Sequence, residues 1–385
     1  MWKAIASNAL TLLIVGLFLL GGLVMWGKEQ YTGPGPLSEA VCVRVEPGSR
    51  MGRVADNLAE QGAVTSASIM RIGADYADKT DQLKAGSFLV PPSSSMEDIV
   101  DIITRGGANS CGSQIIYRIG INSAVAEARD FDATTGRYVE KAEFDLTSDA
   151  AKPEDFTRLR NLNDTAYRVV VAEGVTSWQV VDALARIDVL EGELPGVPEE
   201  GSLAPDSYEV RVGDDRLALI QKMQSKQELL LADAWANRAE DLPYDSIDEA
   251  LIMASIIEKE TGQPEERRQV ASVFVNRLRQ GMRLQTDPTV IYGITNGQGV
   301  LGRGLRQSEL RGETPYNTYV IDGLPPTPIA NPGRASIEAA LDPDETDYIF
   351  FVADGTGGHA FAVTLAEHNE NVARWRQIEA ERSNN

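Results

Sequence analysis

The chain has 385 residues, with 57 acidic against 36 basic side chains and a formal net charge of −21. This length predicts two or three domains, and a hydrophobic share of 43% is enough to give each a core. The negative charge argues against a nucleic-acid partner, because phosphates require a basic surface.

An apolar segment near the N-terminus has the length of a membrane anchor. Residues 9–26 are almost entirely apolar, Lys3 and Lys28 flank them, and Trp26 would lie at an interface. A helix needs about 20 such residues to cross the hydrocarbon core. A cleaved signal peptide is the alternative, but its apolar region is typically shorter and no clean cleavage site follows here. We predict a retained transmembrane helix, with residues 1–8 cytoplasmic and the bulk of the chain outside.

The two cysteines, Cys42 and Cys111, would then lie in an oxidising compartment. A disulfide between them is one expectation, and two buried free thiols are the alternative that the sequence leaves open. Neither the cysteines nor the two histidines, His359 and His368, have the spacing of zinc ligands. We therefore expect no metal site and no cofactor.

A strand–turn–helix pattern occurs twice in the chain. Residues 43–48 and 169–174 each predict a short strand that ends in a turn glycine. Residues 54–58 and 180–184 follow at the same distance, and both contain Val-x-Asp-x-Leu. Glycine suits the point where a strand turns into a helix, because it tolerates positive φ. The shared spacing predicts a structural repeat.

The regions between these elements complete the predicted domain organisation. Residues 27–40 contain alternating glycine and proline and are predicted to be a linker. The first repeat unit covers residues 41–108, and the second covers residues 166–215. Residues 109–165 are polar and irregular, and we interpret them as an insertion with some strand content. Residues 216–385 form the third region.

Within the third region, an apolar helix with clear end signals carries Glu258. Ser246 and Glu249 predict a capping box at its start, and a glycine and a proline follow its end. Further along, the sequence predicts a second helix, a hairpin around a glycine-rich turn, and a final helix capped by Thr364 and Glu367.

Glu258 is the first candidate for chemistry. If the face that it shares with Leu251 and Ser255 lines a cleft, desolvation would favour the protonated carboxyl group. A carboxyl group protonated near neutral pH can protonate a glycosidic oxygen. The alternative is that residues 258–260 form only the solvated end of a buried helix, where most helical glutamates are found.

Two polar and aromatic segments could form the wall of a sugar site. Their amide, hydroxyl and carboxylate groups could bind sugar hydroxyls, and a tyrosine ring could stack on a sugar face. The alternatives are an ordinary turn and a polyproline-like connector. No Gly-x-Ser-x-Gly elbow, Walker loop or Rossmann fingerprint is present. The candidates for substrate contact are Gln285, Thr286, Asp287, Tyr292, Tyr316, Asn317, Thr318 and Asn331.

Long ordered motifs cover most of residues 251–369. They are ASIIEKET (254–261), VFVNRL (273–278), GMRLQTDPTVIYG (281–293), PYNTY (315–319), GLPP (323–326), PIANPG (328–333) and residues 361–369. With these motifs the sequence closely resembles the endolytic murein transglycosylases of the MltG (YceG-like) family. Residues 204–208 are similar to the family's Pro-Asp-x-Tyr segment, and the repeated units are similar to its LysM-like modules. The insertion and a glycine-rich stretch, residues 296–305, depart from the family pattern.

The resemblance implies an α+β chain with a membrane anchor, LysM-like strand–helix modules and a C-terminal α+β catalytic domain. It implies a single-pass enzyme of the inner membrane that faces the periplasm. Such a lyase cleaves the MurNAc–GlcNAc β-1,4 bond of nascent peptidoglycan strands and so limits their length. The implied partners are the glycan strands and peptidoglycan synthases (penicillin-binding proteins).

The family's catalytic glutamate falls on Glu258. The resemblance implies that Glu258 protonates the leaving oxygen and then, as a carboxylate, takes the proton of the C6 hydroxyl. That hydroxyl attacks within the same sugar to give a 1,6-anhydro end, and a tethered nucleophile has a large entropic advantage. Two alternatives stay open at this point. One is a non-catalytic glycan-binding scaffold that recruits cell-wall synthases, and the other is hydrolysis in the same cleft, with reducing ends as products.

Overall fold

The computed structural model describes residues 2–105, 110–162 and 165–383, which divide into two compact units. The first unit comprises the chain up to residue 115 with residues 127–143 and 151–167. The second comprises residues 116–126, 144–150 and 168–385. Helices and short strands mix in both, which confirms the predicted α+β class.

The helices and strands follow one another along the chain in a mixed order. The helices are α1 (Trp2–Thr32), α2 (Met51–Glu60), α3 (Ala67–Tyr76), α4 (Met96–Arg105), α5 (Glu154–Arg160), α6 (Ser177–Arg186), α7 (Arg216–Ala236), α8 (Ile247–Glu260), α9 (Arg267–Arg279), α10 (Asp287–Thr295), α11 (Gln307–Leu310), α12 (Arg334–Leu341) and α13 (Leu365–Ser383). The strands are β1 (Val41–Val45), β2 (Gly86–Val90), β3 (Ser113–Ile119), β4 (Ala124–Asp132), β5 (Arg137–Asp145), β6 (Ala166–Val171), β7 (Leu190–Glu191), β8 (Ser207–Val210), β9 (Asp214–Asp215), β10 (Phe350–Ala353) and β11 (His359–Ala362).

Helix α1 runs unbroken past the predicted end of the anchor. Residues 11–32 are long and apolar enough to cross a membrane, and the large apolar side chains between Leu12 and Trp26 are exposed. At its C-terminal end, Tyr31 is buried and lies so close to Gly73 of α3 that a Cβ at position 73 would clash with the tyrosine ring. The helix is therefore fixed to the body of the first unit.

The segment predicted to be a linker, residues 27–40, is not free chain. Its first six residues belong to α1. After the helix, Gly35 N donates to Ser93 O at 3.1 Å, and Ser93 N donates to Leu37 O at 2.8 Å. Glycine and proline here end a helix and shape a packed turn, so the predicted linker follows a tight course of the backbone.

The first unit contains a β1–α2–α3–β2 arrangement in which the two strands pair antiparallel, with Val41 opposite Val90. The two helices and α4 cover an apolar core that includes Val43, Leu58 and Ile99. Cys42 and Cys111 are joined by a disulfide across 69 residues, with their Cα atoms 5.9 Å apart. The disulfide decides between the two alternatives that the sequence left open for these cysteines.

The predicted strand–turn–helix repeat is present in the structure. Gly48 and Gly174 have φ values of 76° and 77°, and each lies three residues before the first residue of its helix, α2 or α6. The strands differ in their pairing, because β1 pairs with β2 whereas β6 lies between β3 and β8. The two copies therefore share a local motif and not a common sheet.

Residues 109–165, predicted as an irregular insertion, carry strands β3, β4 and β5 and helix α5. The three strands belong to a five-stranded sheet with the order β5-β4-β3-β6-β8. The strand content expected for this segment is therefore present, as three regular strands. Strand β5 has no buried residue. Its many charged side chains replace the alternation of apolar and polar residues that a half-buried strand normally shows.

The core of the second unit is helical. Helix α8 packs against α7, α9 and α12, and its buried residues include Met253 and Ile257. Ser246 caps α8 as predicted, accepting from Glu249 N at 3.2 Å, but Glu249 Oε2 accepts from Asp245 N instead of closing the box on Ser246. The predicted C-terminal hairpin is confirmed by the antiparallel pair β10–β11.

Candidate active site

Glu258 lies in the last turn of α8, at the edge of the helical core. Residues 252–257 are buried, and Glu258 itself is partly exposed. Its Oε2 accepts a hydrogen bond of 3.0 Å from the backbone N–H of Gly333, the residue that caps the N-terminus of α12. A helix N-terminus favours negative charge. Glu258 is therefore oriented by the fold and is not merely the solvated end of a helix.

A second carboxylate, that of Glu173, approaches the same glycine from the end of β6. A Cβ at position 333 would clash with the Glu173 carboxylate, so the close approach requires glycine. Arg267 Nη2 lies 3.7 Å from Glu173 Oε2. Burial raises the pKa of Glu173, the negative charge of Glu258 raises it further, and Arg267 opposes both. Glu173 was not among the predicted site residues, and its only signal in the sequence is its place before the turn glycine of the second repeat.

Backbone hydrogen bonds fix the turn after Glu173 against the segment before Gly333. Gly174 N donates to Asn331 O, and Asn331 N donates to Val175 O, both at 2.9 Å. Lys259 Nζ donates to Gly174 O at 3.2 Å. Burial lowers the pKa of Lys259, while the negative charges of Glu258 and Glu200 raise it. The end of β6, the last turn of α8 and the start of α12 thus form one site.

Asn331 is fully buried within this arrangement. Its Oδ1 accepts from Leu203 N at 2.9 Å, and its Nδ2 donates to Val175 O at 2.9 Å. The amide also lies within hydrogen-bonding distance of Ser177 Oγ. Asn331 was predicted to contact substrate, but its side chain is enclosed and already bonded, so it holds the loop in place.

We expect Asn331→Ala to lower the free energy of unfolding by about 2–3 kcal/mol, because it leaves the buried N–H of Leu203 unpaired and removes one of the two hydrogen bonds to Val175 O. Urea unfolding of the full chain in detergent would measure the loss. Asn237→Ala is the matched control, since Asn237 is exposed at the end of α7. Equal, small effects of the two substitutions would contradict the role given to Asn331.

The segment before α10 contains both buried and exposed candidates. Thr286 is buried, donates through Oγ1 to Glu260, and donates through its N–H to Thr318 Oγ1 at 3.0 Å. Thr318 is also buried. Gln285 and Asp287 are exposed on either side of Thr286, and Asp287 Oδ1 accepts a hydrogen bond from the Tyr319 hydroxyl. Only the exposed pair can meet a ligand directly.

Glu260, two residues after Glu258 and at the end of α8, accepts the hydrogen bond from the Thr286 hydroxyl. Burial raises the pKa of its carboxyl group, and the hydrogen bond from Thr286 opposes that rise. A raised pKa was expected for an acid at the end of this apolar run, and the structure gives that environment to Glu260, which is hydrogen-bonded to Thr286.

Two tyrosines form an aromatic wall in the second unit. The rings of Tyr292 and Tyr316 lie 5.0 Å apart at 56°, and both side chains are partly exposed. Tyr292 donates to Glu200 Oε2 at 3.1 Å, and burial raises the pKa of Glu200. The negative charges of Glu200 and Glu258 both raise the pKa of Lys259. The aromatic wall therefore lies next to the Glu258 site.

Asn317 follows the second tyrosine but is fully buried. Its Nδ2 donates to three backbone carbonyl groups of residues 309–312, and its Oδ1 accepts from Tyr319 N at 3.0 Å. Asn317 therefore shapes the loop on which Tyr316 stands. The predicted residues with accessible side chains are Glu258, Gln285, Asp287, Tyr292 and Tyr316, and the enclosed ones are Thr286, Asn317, Thr318 and Asn331.

A sequence model of the YceG-like family matches residues 108–374, which is more than half of the chain. The chain belongs to the YceG-like family. Two relatives named endolytic murein transglycosylase come from Bacillus subtilis (strain 168) and Streptococcus pneumoniae (strain D39). The first is 29% identical over 353 residues, which are 91% of this chain and 89% of the relative. The second is 28% identical over 345 residues, which are 86% of this chain and 58% of the relative.

Among solved structures, the chain is similar to a putative YceG-like protein from Listeria monocytogenes. The TM-score is 0.45 and the sequence identity is 26%. The match covers 86% of this chain and 99% of the other. The match to the YceG-like family model confirms the family predicted from the motifs. It includes the three strands of the segment that was interpreted as an insertion.

Proposed function

We propose that this YceG-like chain is an endolytic murein transglycosylase, a lyase that cleaves the glycan strands of peptidoglycan. The observation that carries the proposal is the placement of Glu258, a partly exposed carboxyl group held at the N-terminus of α12 beside an aromatic wall. The two named relatives, which match over most of this chain, support the same activity.

Glu258 is proposed to act first as an acid and then as a base. Its proton passes to the glycosidic oxygen as the bond to C1 of the muramic acid breaks. The carboxylate then takes the proton of the C6 hydroxyl, whose oxygen forms the new bond to C1 and gives a 1,6-anhydro end without water. The Gly333 N–H, at 3.0 Å, donates to the carboxylate formed in between, and hydrogen bonds to ionised groups are stronger than those to neutral ones.

The accessible and enclosed candidates are proposed to have different tasks. An amide, a carboxylate and two tyrosine rings can contact the sugars, while the enclosed hydroxyl and amide groups keep the wall in shape. The proposed contacts are Gln285, Asp287, Tyr292 and Tyr316, and the proposed supports are Thr286, Asn317, Thr318 and Asn331.

We also propose that α1 anchors the chain in the inner membrane, with the bulk of the chain in the periplasm. The length and exposed apolar surface of α1 support the anchor. The disulfide supports the orientation, because such bonds persist in oxidising compartments. Peptidoglycan synthases are proposed as partners, because the proposed anchor would place this chain in the same membrane as those enzymes.

We propose two LysM-like modules. The first, residues 41–108, contains the β1–α2–α3–β2 arrangement, and the second, residues 166–215, contains the shorter β6–α6 repeat. The catalytic region proposed for residues 216–385 would then include the end of β6 as well. Glu173 lies at the site, and residues 168–385 belong to one compact unit.

The experiment that tests the activity is mass spectrometry of purified glycan strands after incubation with the full chain in detergent. We expect shorter strands with 1,6-anhydromuramyl ends. New reducing ends in place of anhydro ends would indicate that the same cleft catalyses hydrolysis and not transglycosylation. Intact strands that nevertheless bind the protein would overturn the enzymatic proposal in favour of a glycan-binding scaffold.

A further inference from the structure

We propose that the exposed face of α3, which carries Ile72 and Tyr76, is a second membrane contact of the first unit. This face lies in the lipid headgroup layer beside α1. The inference rests on the membrane anchor proposed for α1 and does not depend on the glycan chemistry. The partner is the bilayer surface, where tyrosine rings and apolar side chains are stable without a protein pocket.

The first argument is the exposure of this face. Tyr76 is 95% exposed, more than any other large hydrophobic side chain in the described part of the chain, and Ile72 is 70% exposed. Their spacing of four residues places both on one side of the helix. Met70 and Ala74, on the other side of α3, are buried in the core. The helix therefore has a complete buried face and still presents two large apolar groups outside.

The second argument is the direction of α3 relative to the end of α1. In the turn before α3, the carbonyl oxygen of Ala63 lies 3.8 Å from the position of a Cβ on Gly35, which follows α1. Further along α3, Gly73 lies against the ring of Tyr31, in the last turn of α1. The contact thus moves back along α1 as the chain moves forward along α3. The C-terminal end of α3 therefore points towards the apolar part of α1.

The third argument is the level that this direction gives to Tyr76. Trp26 lies about 7.5 Å before Tyr31 along α1, and Tyr76 lies about 4.5 Å beyond Gly73 along α3. Because the helices run in opposite directions, the backbone of Tyr76 comes within about 3–5 Å of the level of Trp26. The long side chain of Tyr76 spans this remainder, so its ring reaches the level at which Trp26 would lie in the interface.

The fourth argument is continuity with the apolar surface of α1. Gly27 is partly covered by the body of the first unit, whereas residues 23–26 before it are exposed. The body of the unit thus ends where the exposed apolar surface of the anchor begins. Ile72 and Tyr76 extend that surface sideways onto α3, so one face of the bilayer contacts both helices.

The charges near this face show which property of the bilayer it recognises. Asp75 and Asp78, on either side of Tyr76, are exposed acids, and Arg71 is paired with Asp56 at 3.4 Å. Attraction to anionic lipids therefore does not hold this face. The contact depends on the partition of the tyrosine ring and the isoleucine into the interface, so a zwitterionic membrane is sufficient.

The test uses the full chain in phosphatidylcholine vesicles, with an environment-sensitive fluorophore attached to Tyr76→Cys, Ile72→Cys or Ser68→Cys. The native cysteines are bonded to each other and do not react. A nitroxide on the lipid headgroup quenches fluorophores in its layer. Ser68 is the matched control, because it is exposed on the same side of α3 and about 12 Å farther from the bilayer than Tyr76.

We expect quenching to be at least about threefold stronger for Tyr76→Cys than for Ser68→Cys, because the headgroup layer is only about 6 Å thick. Ile72→Cys should give an intermediate value, and it serves as the second position if Tyr76→Cys fails to fold. Blue-shifted emission from Tyr76→Cys without quenching by lipid would overturn the inference, since a protein surface, such as a second copy of the chain, would then cover this face.

A label on Leu20→Cys, within the apolar part of α1, tests the anchor separately with a nitroxide on the lipid acyl chain. Quenching of this label, together with equal and weak headgroup quenching at positions 68 and 76, would reject this inference alone. No quenching of the label at position 20 would reject the proposed anchor, and this inference with it.

Discussion

Replacing Glu258 by glutamine should lower kcat for glycan cleavage by a factor of about 10² to 10⁴, the usual contribution of a general acid–base group. Glutamine has nearly the same shape, and its side-chain oxygen can still accept the hydrogen bond from Gly333 N. It cannot donate a proton to the leaving oxygen and then recover one. We therefore expect KM and the unfolding midpoint to stay close to the wild-type values while chemistry fails.

The measurement is the rate of new chain ends released from purified glycan strands. Glu265→Gln is the control, since Glu265 carries the same functional group on an exposed surface just beyond α8. A Glu258→Gln variant that retains more than a tenth of the wild-type rate, in a correctly folded chain, would remove Glu258 from the role of acid. The scaffold alternative predicts such an outcome, because it does not require a proton donor.

Replacing both Cys42 and Cys111 by alanine should lower the free energy of unfolding of the first unit by about 4 kcal/mol. The bond closes a loop of 69 residues, and the entropy that such a closure removes from the unfolded chain gives an effect of this size. The loop includes α2, α3, β2 and α4, so the effect should appear in the transition that melts their shared core.

Urea unfolding of the full chain in detergent, with and without reductant, would measure this effect. Reductant should destabilise the wild type and leave the double alanine variant unchanged. The single variant Cys42→Ala should behave like the double variant, because the remaining thiol of Cys111 is buried and has lost its partner. A decrease of less than about 1 kcal/mol in the free energy of unfolding would contradict the prediction, since it would mean that the unfolded chain gains little conformational freedom when the disulfide is removed.

Local signals in the sequence predicted the local features of this fold. Thr364 and Glu367 exchange the two hydrogen bonds of a capping box at the start of α13, because both partners lie within one turn. The turn glycines at 48 and 174 have the positive φ that their position predicted. The disulfide, in contrast, depends on the pairing of β1 with β2 and on the approach of a distant segment, which composition alone does not determine.

The candidate site shows where such reasoning stops. Glu258 was found because the end of an apolar helix is visible in the sequence. Asn331 and Asn317 stand in polar motifs that predict contact with sugars, yet both are buried and bonded to backbone groups. A polar motif indicates that hydrogen bonds are needed, but not whether the partner is a ligand or the protein itself. Glu173 was missed because the group that it approaches, Glu258, is distant in the sequence, so no local motif brings the two together.

If α1 anchors the chain as proposed, the contact between Tyr31 and Gly73 limits how far the first unit can move from the membrane. An α-helix rises 1.5 Å per residue, so Tyr31 lies only about 8 Å beyond Trp26 along α1. With Trp26 at the lipid interface, α3 is held beside the headgroups on a stiff helix and not on a flexible tether. With the anchor and the periplasmic orientation proposed above, the first unit would stay in a thin layer next to the bilayer, where it would meet newly made strands before they reach the mature wall.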